Sequence, residues 1–197
     1  GVQFHPEALT VAGDSISARF FYFLVQKAAT YRHAKEIHRR ILSLDTHTDT
    51  PLDFDVSYNI GTREKTQVCL PKMREGKLDG QYLACWVRQG PCDEENSLKA
   101  IDRVDELIRH IYRQVEMNGE QCAIARTPDD LSRLKTEGKK AFYIGIENGY
   151  GIGKDLKNIT RFHDAGVTYI TLCHTRNNDI CDSSSDTTAR WSGLSPY

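Results

Sequence analysis

No stretch of this 197-residue sequence approaches the ~20 consecutive apolar residues that a membrane-spanning helix needs. The longest candidate, residues 20–25, stops at Gln26-Lys27. Charge of one sign is also lacking: Lys and Arg total 26 against 27 Asp and Glu, for a formal charge of -1. Counterion release on nucleic acid or an anionic membrane needs a basic surplus, so neither partner is expected. Cysteine is too sparse for a disulfide scaffold: there are six, with no Cys-x-x-Cys pair, which argues against a structural zinc site of the usual spacing. Cys85 and Cys173 lie in apolar runs and read as small core residues. No charged segment followed by an apolar one opens the sequence, so no secretory signal is visible. That leaves localisation open, with a cytoplasmic setting slightly favoured. What is present, 39% apolar and 27% charged residues, is the composition of a globular protein.

Four apolar runs read as buried strands: residues 42–49, 80–87, 140–147 and 167–174. Helical periodicity fills the spaces between them. Leu98, Ile101, Val104, Leu107, Ile108, Ile111 and Val115 mark one face of a helix over residues 97–117. Thr127-Pro128 opens a short helix to Thr136, and residues 154–165 form another that Gly166 stops. Before the first strand, Gly13-Asp14 offers a turn and cap. Ile16, Phe20, Phe23, Leu24 and Ala28 then give a helix, and a separate basic helix is expected over residues 31–42. Strands alternating with helices imply parallel βα units, which bind ligands at the carboxyl ends of their strands. Those ends carry Asp49, the Arg88-Gln89 step, Glu147 and His174.

Three of these positions suit a metal. In His47-x-Asp49 the side chains at i and i+2 of a strand share a face, so an imidazole and a carboxylate can converge on one first-row divalent cation. The alternative is a surface His47 hydrogen-bonded near Thr46. Glu147 follows an apolar run, and a carboxylate there costs several kcal/mol unless compensated. A bridged metal or an ion pair with an arginine such as Arg176 would compensate it. His174 could ligate, donate to a developing oxyanion, or be a satisfied core histidine.

The segments 44–51 (Leu-Asp-Thr-His-Thr-Asp-Thr-Pro), 145–149 (Gly-Ile-Glu-Asn-Gly) and 169–174 (Tyr-Ile-Thr-Leu-Cys-His) resemble, in this order, the renal (membrane) dipeptidase family. So do residues 70–76 (Leu-Pro-Lys-Met-Arg-Glu-Gly) and 193–196 (Gly-Leu-Ser-Pro). The resemblance covers about residues 35–197. It implies an α/β fold, the first half of a (β/α)8 TIM-type barrel with four parallel strands; the strand-helix remnant of another α/β domain expected before it rests on residues 1–30 instead. It also implies a zinc metallo-dipeptidase in which hydroxide bound by two zinc ions hydrolyses dipeptides. His47 and Asp49 would bind one metal, Glu147 would bridge both, and His174 would contact substrate and stabilise the tetrahedral intermediate. The second metal's histidines, a substrate arginine and an acid/base aspartate would lie in a missing C-terminal barrel half. Mammalian members pair a cysteine at the position of Cys92 with one that is Arg176 here.

Residues 1–30 fit no part of that family. Gly-Val-Gln-Phe-His-Pro-Glu at positions 1–7 and the following helix resemble the tail of a class I glutamine amidotransferase, of γ-glutamyl hydrolase-like type. There His5 would activate a cysteine nucleophile and Glu7 would orient His5. No cysteine of this sequence stands in a Gly-x-Cys-x-Gly turn. The expected domains are thus 1–30 and 31–197. The segment is expected to hold at most one metal tightly and to be inactive alone, and the parent could be a homodimer. A non-catalytic scaffold, or an amidohydrolase acting on a non-peptide amide, is the alternative, although the latter usually opens with His-x-His rather than His-x-Asp.

Overall fold

The computed structural model describes residues 15–196. His5, Glu7 and the Gly13-Asp14 turn lie outside the described residues. The chain divides into two compact units, residues 1–42 and 43–197.

In the first unit a single helix, α1 (Ser15–Arg40), replaces the two expected from the sequence. Thr30, where the break was expected, keeps its hydroxyl inside the helix by donating to the Gln26 carbonyl at 2.9 Å. Lys27 lies over the Phe23 ring and Lys35 over the Tyr31 ring, each pair four residues apart on one helix face.

The second unit is a parallel sheet with helices. Its strands are β1 (Leu44–Asp45), β2 (Gly80–Trp86), β3 (Cys122–Ile124), β4 (Lys140–Glu147) and β5 (Val167–Ile170). β1 pairs with β2 and β2 with β4. The other edge of β4 is shared, with β3 on Lys140–Phe142 and β5 on Ile144–Ile146. Four of these strands lie where a partial barrel was expected, but β1 keeps only two of residues 42–49 and β5 stops at Ile170, so His174 sits in the loop after it rather than at the strand end. The fifth, β3, is three residues long, too short for its alternation to stand out in the sequence.

Helix α2 (Leu70–Gly76) buries Leu70 and Met73, and Lys77 closes it in the left-handed conformation. Helix α3 (Glu94–Met117) starts at Asp93, whose carboxylate accepts from the Asn96 N–H at 2.8 Å. It buries Ala100, Val104, Leu107, Ile108 and Ile111 as the periodicity requires, whereas Leu98, assigned to the same face, is exposed. Its buried Gln114 accepts from the Ile60 N–H and donates to the Tyr58 carbonyl, both at 2.8 Å, so an amide side chain stitches the β1–α2 loop to the helix. Helix α4 (Pro128–Thr136) carries a full capping box between Thr127 and Asp130. Helix α5 (Lys157–Asp164) is shorter than expected, because a 3-10 turn (Gly149–Ile152) and a short loop precede it.

The two faces of the sheet differ in content. One presents Leu83, Cys85, Phe142, Ile144 and Ile146 to the core formed with α3. On the other, Leu131 and Leu134 of α4 cover Ala141 and Tyr143. Next along this second face, Tyr82 stacks on Tyr143 and tilts against Tyr169, at ring separations of 4.8 and 5.1 Å. Beyond the tyrosines, in the same register, come the pairs Ala84–Gly145 and Trp86–Glu147. This second face therefore leads from an apolar plug to a charged rim at the carboxyl ends.

Candidate metal centre

β1 ends after Asp45, well before His47. The chain nevertheless stays beside β2, with one residue too many: Ser43 accepts from the Gly80 N–H and Thr48 from the Ala84 N–H, so five steps on one side match four on the other. Asp45 absorbs the excess by accepting the His47 N–H at 3.1 Å in a tight local turn. The slip turns the His47 side chain toward the rim. The expectation that His47 and Asp49 converge holds, but the local turn rather than an uninterrupted strand brings it about.

A second slip lies in β5. Ile144 pairs with Val167 but Gly145 pairs with Tyr169, leaving Thr168 as the additional residue of a bulge. Val167 faces the helix-side core, while Tyr169 crosses to the other face and lies on Gly145, where a Cβ would stand 2.2 Å from the ring. The Thr168 hydroxyl donates to the Ile144 carbonyl at 3.3 Å and lies 3.2 Å from the Tyr82 hydroxyl.

These slips and the end of β4 bring four side chains together. His47 Nε2 lies 3.2 Å from Glu147 Oε2 and 3.5 Å from Asp49 Oδ1, and His174 Nε2 lies 3.3 Å from Glu147 Oε1. One ligand atom each of His47, Asp49 and Glu147 falls within 4.8 Å of the other two. The far nitrogen of His47, Nδ1, is 3.2 Å from the Tyr169 hydroxyl. Burial pushes that phenol up to about 12, and the Glu147 charge acts in the same direction, so it stays protonated near neutrality as a neutral hydrogen-bond partner of Nδ1. His174 meets the edge of the Trp86 ring at 5.9 Å, and Ser183 donates to its carbonyl at 2.6 Å.

Burial raises the Glu147 carboxyl above its ordinary value; His47 opposes the shift, Asp49 adds to it, and His174 again opposes it. The groups on its oxygens are imidazoles, not obligate cations. Arg176, the alternative ion-pair partner, instead lines a separate hollow with Asp186. Two carboxylates and an imidazole with its second nitrogen already satisfied suit a borderline divalent cation, and a positive ion would remove the cost of holding Glu147 charged. The residues fit a metal.

Sequence reasoning missed Tyr169 and Asn148. Tyr169 reads as one more apolar strand residue, and only the glycine across from it hints that a ring lies there. Asn148 is wholly buried at φ 86. Its amide donates to the Val87 carbonyl at 3.0 Å, and its Oδ1 accepts from Asn178 at 3.1 Å, so it clamps the ends of β2 and β4 to the loop after β5. A non-glycine residue held at positive φ beside a site is strain that the surrounding bonds enforce. Cys85 is buried as expected, but Cys173 is only half-buried, its thiol 3.5 Å from the Asp182 carbonyl. Cys92, like the other five cysteines, is free.

Comparison with known proteins gives the same picture. The profile of the family described as "Membrane dipeptidase (Peptidase family M19)" matches residues 31–197. The dipeptidase ataJ of Aspergillus terreus is 28% identical over 172 residues, covering 81% of this chain and 42% of the relative. The crystal structure of the probable dipeptidase PvdM from Pseudomonas aeruginosa superposes with a TM-score of 0.75 at 30% identity, over 84% of this chain and 44% of that one. A metallopeptidase from Rhodobacter sphaeroides, solved with a phosphinate mimic of the dipeptide L-Ala-D-Ala, shares the fold at a TM-score of 0.62 and 18% identity, over 72% of this chain and 48% of its own. The chain thus spans less than half the length of these relatives. With the family profile covering most of its residues, the chain belongs to the membrane dipeptidase family, peptidase family M19.

Proposed function

We propose that this chain supplies the amino-terminal part of a metal-dependent dipeptidase site. The observation that carries the reading is the convergence of His47, Asp49 and Glu147, from two distant segments, at the carboxyl ends of a parallel sheet. Zinc held there would supply Lewis-acid polarisation of the peptide carbonyl and a lowered pKa for attacking water.

The rest of the chemistry falls to the chain. The Tyr169 hydroxyl, 3.2 Å from His47 Nδ1, would orient the His47 ring so that Nε2 faces the ion. Glu147, which lies between both imidazoles, would be the carboxylate shared by two ions. His174, steadied by Trp86, carries an N–H on the same rim, where it can donate to the oxyanion as the carbonyl becomes tetrahedral. Two zinc ions per complete site is the fuller reading, with the remaining ligands drawn from chain of the kind present in the longer relatives.

Zinc titration against a competing chelator tests the ligand set. One tight site per folded chain, lost in His47→Ala, supports it; a folded sample with no tight zinc site overturns it. The chain by itself should not turn over Gly-Leu, and hydrolysis by the purified segment would refute that expectation.

For residues 1–30 we infer the tail of an amidotransferase-like domain, supported by the His5-Pro6-Glu7 motif and by the family match beginning at residue 31. A Gly-x-Cys-x-Gly turn encoded upstream would be its signature.

A further inference from the structure

Beside the metal centre lies a second hollow of about 290 Å³, near the lower limit of small-molecule sites. Its apolar part is Trp86, Val87, Ala100 and Tyr150. Its charged lining is of one sign: Arg88, just past the end of β2, and Lys99 and Arg103 on α3, with no acidic residue among the lining side chains. Lys99 and Arg103 are four residues apart and therefore share a helix face.

The hollow adjoins the proposed site through two residues. Leu52 lines both this hollow and the larger one of about 620 Å³ that contains His47 and Asp49. Trp86 pairs in register with Glu147 and touches His174 with its ring. The two hollows have opposite character, since the larger one carries Asp45, Asp49 and Asp53.

The cations are open to a ligand. Lys99 bonds Glu95 at 2.6 Å and Arg103 bonds Glu106 at 2.5 Å, but these are exposed or half-exposed neighbours on one helix. Such pairs are worth about 0–1 kcal/mol and yield readily to a better-placed carboxylate. The Arg88 side chain is exposed and has no ion-pair partner among the described residues. A planar guanidinium over an apolar floor favours a carboxylate held by two hydrogen bonds.

We propose that this hollow is a subsite for a side-chain carboxylate of the substrate, so that the site selects dipeptides containing Glu or Asp over their amide counterparts. The inference rests on the dipeptidase reading for the identity of the ligand, but not on the metal ligands themselves.

The test is binding, measured by NMR titration of the purified chain with Gly-Glu, Gly-Gln, Glu-Gly and Gln-Gly, with and without zinc. At least one acidic dipeptide should bind about tenfold more tightly than its amide partner. The double variant Lys99→Gln/Arg103→Gln, its folding checked by thermal melting, should reduce that ratio below about twofold, and 0.5 M salt (on the order of several-fold above physiological) should shrink it in the parent. Equal binding of acidic and amide partners, absence of binding by all four, or a preference indifferent to the double variant would overturn the subsite. Failure of zinc to bind would instead sink the dipeptidase reading, while the acidic-against-amide comparison in metal-free protein still decides the subsite.

Discussion

The two faces of β4 are built to different ends. Toward α3 it presents Phe142, Ile144 and Ile146, none with any exposed surface. Toward the other side it presents Tyr143, Gly145 and Glu147: a ring, an empty position and a half-buried carboxylate. The first face gives up nothing to function and carries the stability of the unit. The second gives up packing, leaving Gly145 bare so that Tyr169 can lie across it and reach His47. A strand whose backbone is fixed by β2 on one edge and by β3 and β5 on the other can hold such a face without losing its place.

The division predicts separable effects. Ile144→Ala on the core face should cost about 2–5 kcal/mol in denaturant unfolding, while the zinc affinity of the molecules that remain folded is unchanged. A matching loss of zinc affinity would merge the two faces into one. Glu147→Gln should do the reverse, weakening zinc on the order of 100-fold, about 2.7 kcal/mol, without lowering the melting temperature of metal-free protein. Tyr169→Phe removes one hydroxyl and keeps the ring. Chelator competition should show zinc weakened about tenfold, with metal-free stability within about 0.5 kcal/mol of the parent.

The smallest effect concerns the plug beneath the tyrosines. The Arg133 guanidinium, with the Arg126 and Thr127 N–H groups, holds the Asp130 carboxyl well below the usual carboxylate range. A depressed folded value contributes stability that is full above the unfolded value, near 3.8, and fades as pH falls through the folded one. Asp130→Ala, which breaks the capping box, should therefore cost about 1 kcal/mol at neutral pH, and the gap to the parent should narrow in acid melts below the unfolded value. A gap that widens in acid would mean that α4 is held by something other than this charge.

Much of the fold was legible because its signals are periodic. α3 repeats its apolar residues over Leu98–Val115, about five turns, and β2 and β4 are largely apolar runs with polar ends. β3 escaped notice because three residues carry no period. The break expected in α1 rested on a change of composition at Thr30, a residue whose hydroxyl the helix accommodates. The ligand set was legible by residue type and by resemblance, not by geometry. Strict alternation from Leu44, whose partner Gly80 faces Leu131 of the plug, would send His47 to the opposite face. Tyr169 would likewise have followed Val167 into the core. Both side chains owe their direction to hydrogen bonds of Asp45 and Thr168, and nothing in a hydrophobic pattern encodes those.

Each slip shifts the odd-even phase of everything downstream of it by one step. Deleting one residue between Asp45 and His47, or at Thr168, would leave composition, charge and core almost untouched and yet point an imidazole or a phenol the wrong way. Length between these landmarks is thus under tighter constraint than the identity of most residues within them, and a gap of one there in any aligned relative would announce a different centre.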